Sequence, residues 1–215
     1  SNQNSLNELI EIIVKTITRG GSVIIPSFAV GRTQELIYEL NRFYESDSTY
    51  RGVLSKVNVY IDSPMAITTT QVFRRNAQVF DEEKKRYILE GDNPLDFPNL
   101  YFTRTSEESM ALNTDDTPKI IIAASGMCNA GRILHHLKHN LWNPRNSVVF
   151  VGYQANGTLG RRILDGEIEI PVLGEHVMVK AQIYNLEGFS GHADRDGLLE
   201  WVQGLQKAPQ NIFLV

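Results

Sequence analysis

His192 stands apart from the other histidines of this sequence. It lies in Gly188-Phe-Ser-Gly-His-Ala-Asp194, a loop of small residues that runs into a helical pattern. Asp194 there can cap the helix or orient the imidazole, which makes His192 the best general acid or base candidate on the chain. The competing reading is that Ser190 and Asp194 are helix caps and nothing more. His135, His136 and His139 share one predicted helix, and the i, i+4 spacing of His135 and His139 can bring two imidazoles to one metal. No carboxylate or cysteine stands near them in that helix, so a solvated or packing face is expected and no metal site is assigned. His176 sits in a polar turn and is expected to be exposed.

A second group of residues suits anions. Arg32, Arg104, Arg132 and Arg161 add charge and can offer bidentate phosphate geometry. The known phosphate loops do not account for them: there is no G-x-x-x-x-G-K-[ST], and no G-x-G-x-x-G opens a helix after a strand. Gly152, Gly157 and Gly160 are a weak turn signal.

The elements that must position these residues can be traced in order. Ser5-Leu-Asn-Glu8 has capping-box spacing, followed by Leu6, Leu9, Ile10, Ile13, Val14 and Ile17 at helical intervals. Short apolar runs at residues 22–26, 57–61, 119–124 and 147–151 read as buried strands, and residues 100–102 as a further short one. Helical patterns follow: Leu36, Ile37, Leu40 and Phe43 on one apolar side, a stretch from Pro64 through Phe80, a capping box at Thr105-Ser-Glu-Glu108, and residues 130–142. Near-continuous apolar strands alternating with helices predict an α/β fold, a mostly parallel sheet with helices on both faces. Residues 81–98 read as an irregular surface region. From Glu167 to Tyr184 the residues alternate, which predicts antiparallel strands. A helix over 194–205 and a strand over 211–215 complete the pattern.

In an open parallel sheet ligands bind at the carboxyl ends of the strands. Those ends carry Ser27 through Arg32, Asp62-Ser63, Thr103-Arg104, Ser125-Gly126 and Gly152-Tyr153-Gln154. Most are small, hydroxylated or cationic, and several start helices, where free N–H groups favour an anion. Spacing alone fits a phosphate-bearing ligand and ordinary strand-to-helix turns equally well.

Composition narrows the class. The chain has 215 residues, a net charge of −4 and 42% hydrophobic residues, as expected of a globular protein. An acidic balance argues against a diffuse positive surface as the main hold on nucleic acid, while allowing a local cationic cleft. The single cysteine, Cys128, cannot form an internal disulfide. With no signal-peptide pattern and no membrane-spanning run, the expected setting is the cytoplasm, with no membrane partner. Ser1-Asn2 reads as the remnant of a cleaved tag, so the native chain is expected to continue upstream.

Five blocks in order carry a resemblance: Ile25-Pro-Ser-Phe-Ala-Val-Gly-Arg-Thr-Gln-Glu35, Ile61-Asp-Ser-Pro-Met-Ala66, Ala124-Ser-Gly-Met127, Gly152-Tyr-Gln-Ala-Asn-Gly-Thr-Leu-Gly-Arg161 and Gly188-Phe-Ser-Gly-His-Ala-Asp194. Together they resemble the metallo-β-lactamase/β-CASP nucleases, on the branch of the pre-mRNA 3′-end cleavage endonuclease and its bacterial and archaeal relatives. The resemblance implies a β-CASP domain over residues 1–187 that clamps RNA over a metal site. Residues 188–215 would then be a truncated piece of the metallo-β-lactamase αββα fold. It implies that His192 sits beside a zinc pair and assists leaving-group protonation. Ser190 and the Ser125-Gly126 turn match positions that approach RNA phosphates, and Ser27, Ser63 and Arg132 are expected in the same cleft. Arg32 matches a family arginine that either contacts RNA or holds the domain together.

The departures are as informative. The family's zinc ligands lie mainly in a His-x-His-x-Asp-His segment that this sequence lacks. Two zinc ions are therefore expected in the full-length parent and none in this piece, which is expected to be inactive alone. Its partners would be RNA, the metallo-β-lactamase half of the same protein and, in the parent, a second copy in a homodimer. The alternatives are an autonomous nucleotide- or sugar-phosphate-binding α/β domain, a DNA-acting relative, or a catalytically dead one.

Overall fold

The computed structural model describes residues 2–45, 51–76, 93–189 and 195–205, together with 207, 209–211 and 213. In chain order the elements are α1 (Asn2–Thr18), β1 (Val23–Pro26), α2 (Arg32–Glu45), α3 (Arg51–Leu54), β2 (Asn58–Asp62), α4 (Pro64–Arg75), β3 (Leu100–Phe102), α5 (Ser106–Thr114), β4 (Lys119–Ala123), α6 (Ile133–Asn140), β5 (Ser147–Phe150), α7 (Leu159–Leu164), β6 (Glu169–Val172), β7 (Glu175–Met178), β8 (Gln182–Asn185), a 3-10 turn (Glu187–Phe189) and α8 (Arg195–Gln203).

Six strands form one sheet in the order β3-β2-β4-β1-β5-β8, with every neighbouring pair parallel. β1 and β4 are buried along their whole length, as near-continuous apolar strands covered on both faces are, and the exception Lys119 pairs its ammonium with Asp115 (3.1 Å). Successive side chains go to opposite cores. Val23 and Ile25 of β1, with Ile120 and Ile122 of β4, join α1, α2 and α4 on one face. Ile24, Ile121 and Ala123 join Ile133 and Leu137 of α6 and Ile163 of α7 on the other. Ile122→Ala, deep in the first core, would cost about 2–5 kcal/mol through lost transfer energy and the cavity left behind.

Three local expectations need correction. α1 begins at Asn2, so Ser5 lies within the helix rather than capping it. The same spacing at Thr105 does form a reciprocal capping box with Glu108. α6 is shorter than residues 130–142, because the preceding Gly131 has φ +85°, outside the helical region. β6 and β7 do pair antiparallel, but β8 joins the main sheet parallel to β5. An edge strand covered unevenly alternates in polarity, whatever the direction of its neighbour. The helix expected to reach Phe80 is described as far as Arg75, and residues 77–92 lie outside the described residues. The strand expected over 211–215 falls mostly outside them as well. No helix among the described residues is long and apolar enough to cross a membrane.

Candidate nucleic-acid interface

At the carboxyl end of β1, Ser27 is buried and its N–H donates to the Ala123 carbonyl (2.9 Å). The Thr33 hydroxyl in the first turn of α2 donates to the Phe28 carbonyl (2.7 Å) and lies 3.1 Å from Ser27 Oγ. Gln34 ties this turn to α4: its Nε2 donates to the Ala29 carbonyl and to Thr70 Oγ1, and its Oε1 accepts from the Gly31 N–H. Arg32 forms an ion pair with Glu35 and stands 5.6 Å from the Phe189 ring centroid. Its guanidinium therefore spans from α2 to the segment that leads toward α8.

At the end of β2, Ser63 caps α4 by accepting from the Ala66 N–H (3.3 Å). Beside it Asp62 is fully buried and is the centre of a charged network. Its carboxylate accepts from Thr103 Oγ1 (2.6 Å), Ser109 Oγ (2.5 Å), Arg132 Nη1 (2.7 Å) and His136 Nε2 (2.5 Å). Burial alone would raise its pKa. The hydrogen bonds from His136, Ser109, Thr103 and Arg132 outweigh that and hold the carboxyl well below the usual carboxylate range. Arg132 also donates to the carbonyls of Thr103 (3.1 Å) and Arg104 (3.3 Å), and His136 Nδ1 meets Asn113 Oδ1 (2.8 Å). This network joins the ends of β2, β3 and β4 through α5 and α6.

At the end of β4 the Ala124–Ser125 peptide is cis, and Ser125 Oγ accepts from the N–H groups of Asn129 (3.2 Å) and Ala130 (3.4 Å). A Cβ at Gly131 would collide with the Ala124 carbonyl, so this tight return needs glycine. At Gly126 a Cβ would lie 3.0–3.2 Å from atoms of Phe28. At the end of β5, Gln154 is buried and its Nε2 donates to the Gly126 (2.9 Å) and Gly152 (3.0 Å) carbonyls, clasping two neighbouring turns.

Ser27, Ser63, Ser125, Gly126 and the Arg132 anchor thus lie along one edge of the sheet. Ser190 and His192 lie outside the described residues. The hydroxyls of Ser27, Ser63 and Ser125 and the guanidiniums of Arg32 and Arg132 all have internal partners. Arg161 is likewise paired, with Asp165 (2.7 Å), whereas Arg104 is exposed and makes no ion pair among the described residues. Asp62 had been legible only as a strand end. Its partners Ser109, Arg132 and His136 lie 47, 70 and 74 residues away, and no local signal connects them. Gln34 carried no signal beyond its membership of a quoted block, and Gln154 none beyond its block and its place at a strand end.

Among the described residues no group of three or more histidine, cysteine or carboxylate side chains could hold a metal ion. The donor chemistry agrees, since His136 has both ring nitrogens occupied by Asp62 and Asn113, and burial pushes the Cys128 thiol up to about 12. The described residues do not fit a zinc pair, and no step is derived through one.

Comparison with known proteins gives two family matches, a Beta-Casp domain over residues 33–163 and a Zn-dependent metallo-hydrolase RNA specificity domain over residues 176–215. The chain is 43% identical to Ribonuclease TTHA0252 of Thermus thermophilus over 202 residues, which covers 94% of this chain and 45% of that protein. It is 36% identical to the transcription termination factor FttA of Methanocaldococcus jannaschii over 217 residues, covering 97% of this chain and 33% of that protein. FttA of Methanothermobacter thermautotrophicus is 35% identical over 220 residues, covering 34% of its own length. The chain therefore spans less than half the length of these relatives.

Proposed function

The chain belongs to the Beta-Casp family of RNA-acting metallo-hydrolases, and from that premise we propose that it is the RNA-clamping portion of a zinc-dependent ribonuclease. The observation that carries this reading is the convergence of four strand ends, each followed by one of the quoted blocks, on a single edge of a parallel sheet. RNA would lie along that edge, and the hydrolysed bond would be a phosphodiester. The zinc pair of the whole protein is assigned to residues other than the described ones. We place the boundary between the β-CASP domain and the metallo-β-lactamase fold at residues 187/188, because β8 ends at Asn185 and completes the parallel sheet. A helix beyond that boundary supports it: α8 has no buried residue and exposes Leu198, Leu199 and Trp201, as a piece of another core does. A cytoplasmic setting rests on the unpaired, buried Cys128.

The test of function uses the full-length protein with end-labelled single-stranded RNA. His192→Ala should lower the rate of cleavage of bound RNA by roughly two to four orders of magnitude, the usual loss on removing a general acid. RNA affinity should change little. Unchanged cleavage, or lost binding with the rate on bound RNA intact, would contradict the assigned role.

A further inference from the structure

The carboxyl edge is not uniformly polar. Phe28, in the turn after β1, is 46% exposed, and Tyr153, in the turn after β5, is 68% exposed. Their strands are neighbours in the sheet. The Phe28 backbone is fixed by the Thr33 hydroxyl on its carbonyl (2.7 Å), while its ring has no aromatic partner among the described residues. One edge of the ring lies close to two glycines: a Cβ at Gly126 would lie 3.0 and 3.1 Å from ring atoms, and one at Gly152 would lie 3.9 Å from the same edge. Two glycines, each just past a strand end, thus make room for one exposed ring. An exposed ring on a fixed backbone offers a face to a flat partner.

The charges nearby narrow what that partner is. The guanidiniums of Arg32, Arg132 and Arg161 are each committed to a carboxylate, Glu35, Asp62 and Asp165 respectively. Phosphate charge therefore finds less free cation along this edge than the arginine count implies. A strand of RNA held here needs a second source of affinity, and an exposed ring supplies it, because every nucleobase has a π-face. Resting on the reading that RNA lies along this edge, we infer that Phe28, with Tyr153 in the turn after the neighbouring strand, is a stacking site for bases of single-stranded RNA. Gly126 is then the floor of that site rather than a phosphate contact. The exposed Leu198, Leu199 and Trp201 of α8 are a different surface, the one read above as a piece of another core. Phe28 instead lies against Gly126 and Gly152, two small residues of polar strand-end turns.

The test measures fluorescence anisotropy of the full-length protein with cleavage-resistant phosphorothioate oligoadenylate and oligouridylate. Adenine stacks more strongly than uracil, so the unmodified protein should bind oligoadenylate more tightly. Phe28→Ala should weaken oligoadenylate binding roughly 5- to 100-fold and abolish the preference. Phe28→Trp should restore both, and Phe28→Leu, which keeps apolar bulk against Gly126, should restore neither. Val30→Ala and Met65→Ala, which remove exposed aliphatic side chains, are the controls and should leave the preference intact. If Phe28→Leu bound like the unmodified protein, or the base preference survived Phe28→Ala while cleavage continued, the stacking site would be overturned and the nuclease reading would stand. If Phe28→Ala left RNA binding unchanged but lowered the melting temperature of the full-length protein, the ring would be a protein contact and the inference equally wrong. A full-length protein that bound neither oligonucleotide would overturn both.

Discussion

The two halves of the carboxyl edge hold their turns in place by different physics. On the side of β3, β2 and β4, a fully buried carboxylate gathers an arginine, a histidine and two hydroxyls, and of the arginines Arg104 and Arg132 only Arg104 makes no ion pair among the described residues. On the side of β1 and β5, neutral amides, a threonine and glycines clasp the turns, the ion pairs Arg32–Glu35 and Arg161–Asp165 are local, and two aromatic side chains are left in solvent. The difference teaches that a conspicuous arginine is poor evidence of a phosphate site until its counter-ion is known. Here the charged half is the frame, and the neutral half presents the more accessible surface.

Asp62→Ala should mark the charged half most strongly. It leaves Arg132 and His136 without their anion in a buried setting, for an expected loss of about 3–5 kcal/mol in urea unfolding. A loss under about 1 kcal/mol would mean that the network is not the frame. Acid should dismantle the same network more gradually. The folded pKa of Asp62 lies below its unfolded value of about 3.9, so its contribution is complete above that pH and is lost as pH falls toward the folded pKa. Stability measured against pH should drop below about pH 4, and Asp62→Asn should flatten that limb. Gln154→Ala, on the neutral half, should cost only about 1 kcal/mol. Two hydrogen bonds are lost, but Oε1 is buried without a partner among the described residues, so its removal offsets part of the loss. If Gln154→Ala matched Asp62→Ala, the contrast between the halves would fail.

The sheet was legible in the sequence because a doubly covered parallel strand reads as a near-continuous apolar run, as in Ile120-Ile-Ile-Ala123. β8 was not, since its half-exposed pattern is shared by antiparallel strands. The turns of the candidate site were legible as places, because strand ends in such a sheet are where helices begin. Their bonding was not. Arg132 and Arg32 look alike in sequence as cations near helix starts, yet one belongs to a carboxylate 70 residues away and the other to one in its own helix. His136 carries the same lesson: its helix was read as a solvated or packing face, and the fold puts this one histidine against Asp62 while His135 stays exposed.

The central claim is that RNA lies along the carboxyl edge of this sheet. Photo-crosslinking of 4-thiouridine-labelled single-stranded RNA to the full-length protein, with the adducts mapped by peptide mass spectrometry, tests it most directly. The account predicts adducts, within this chain, in peptides that contain Phe28, Gly126 or Tyr153. Adducts confined to α1 or to the β6–β7 hairpin, with none at the strand ends, would contradict it.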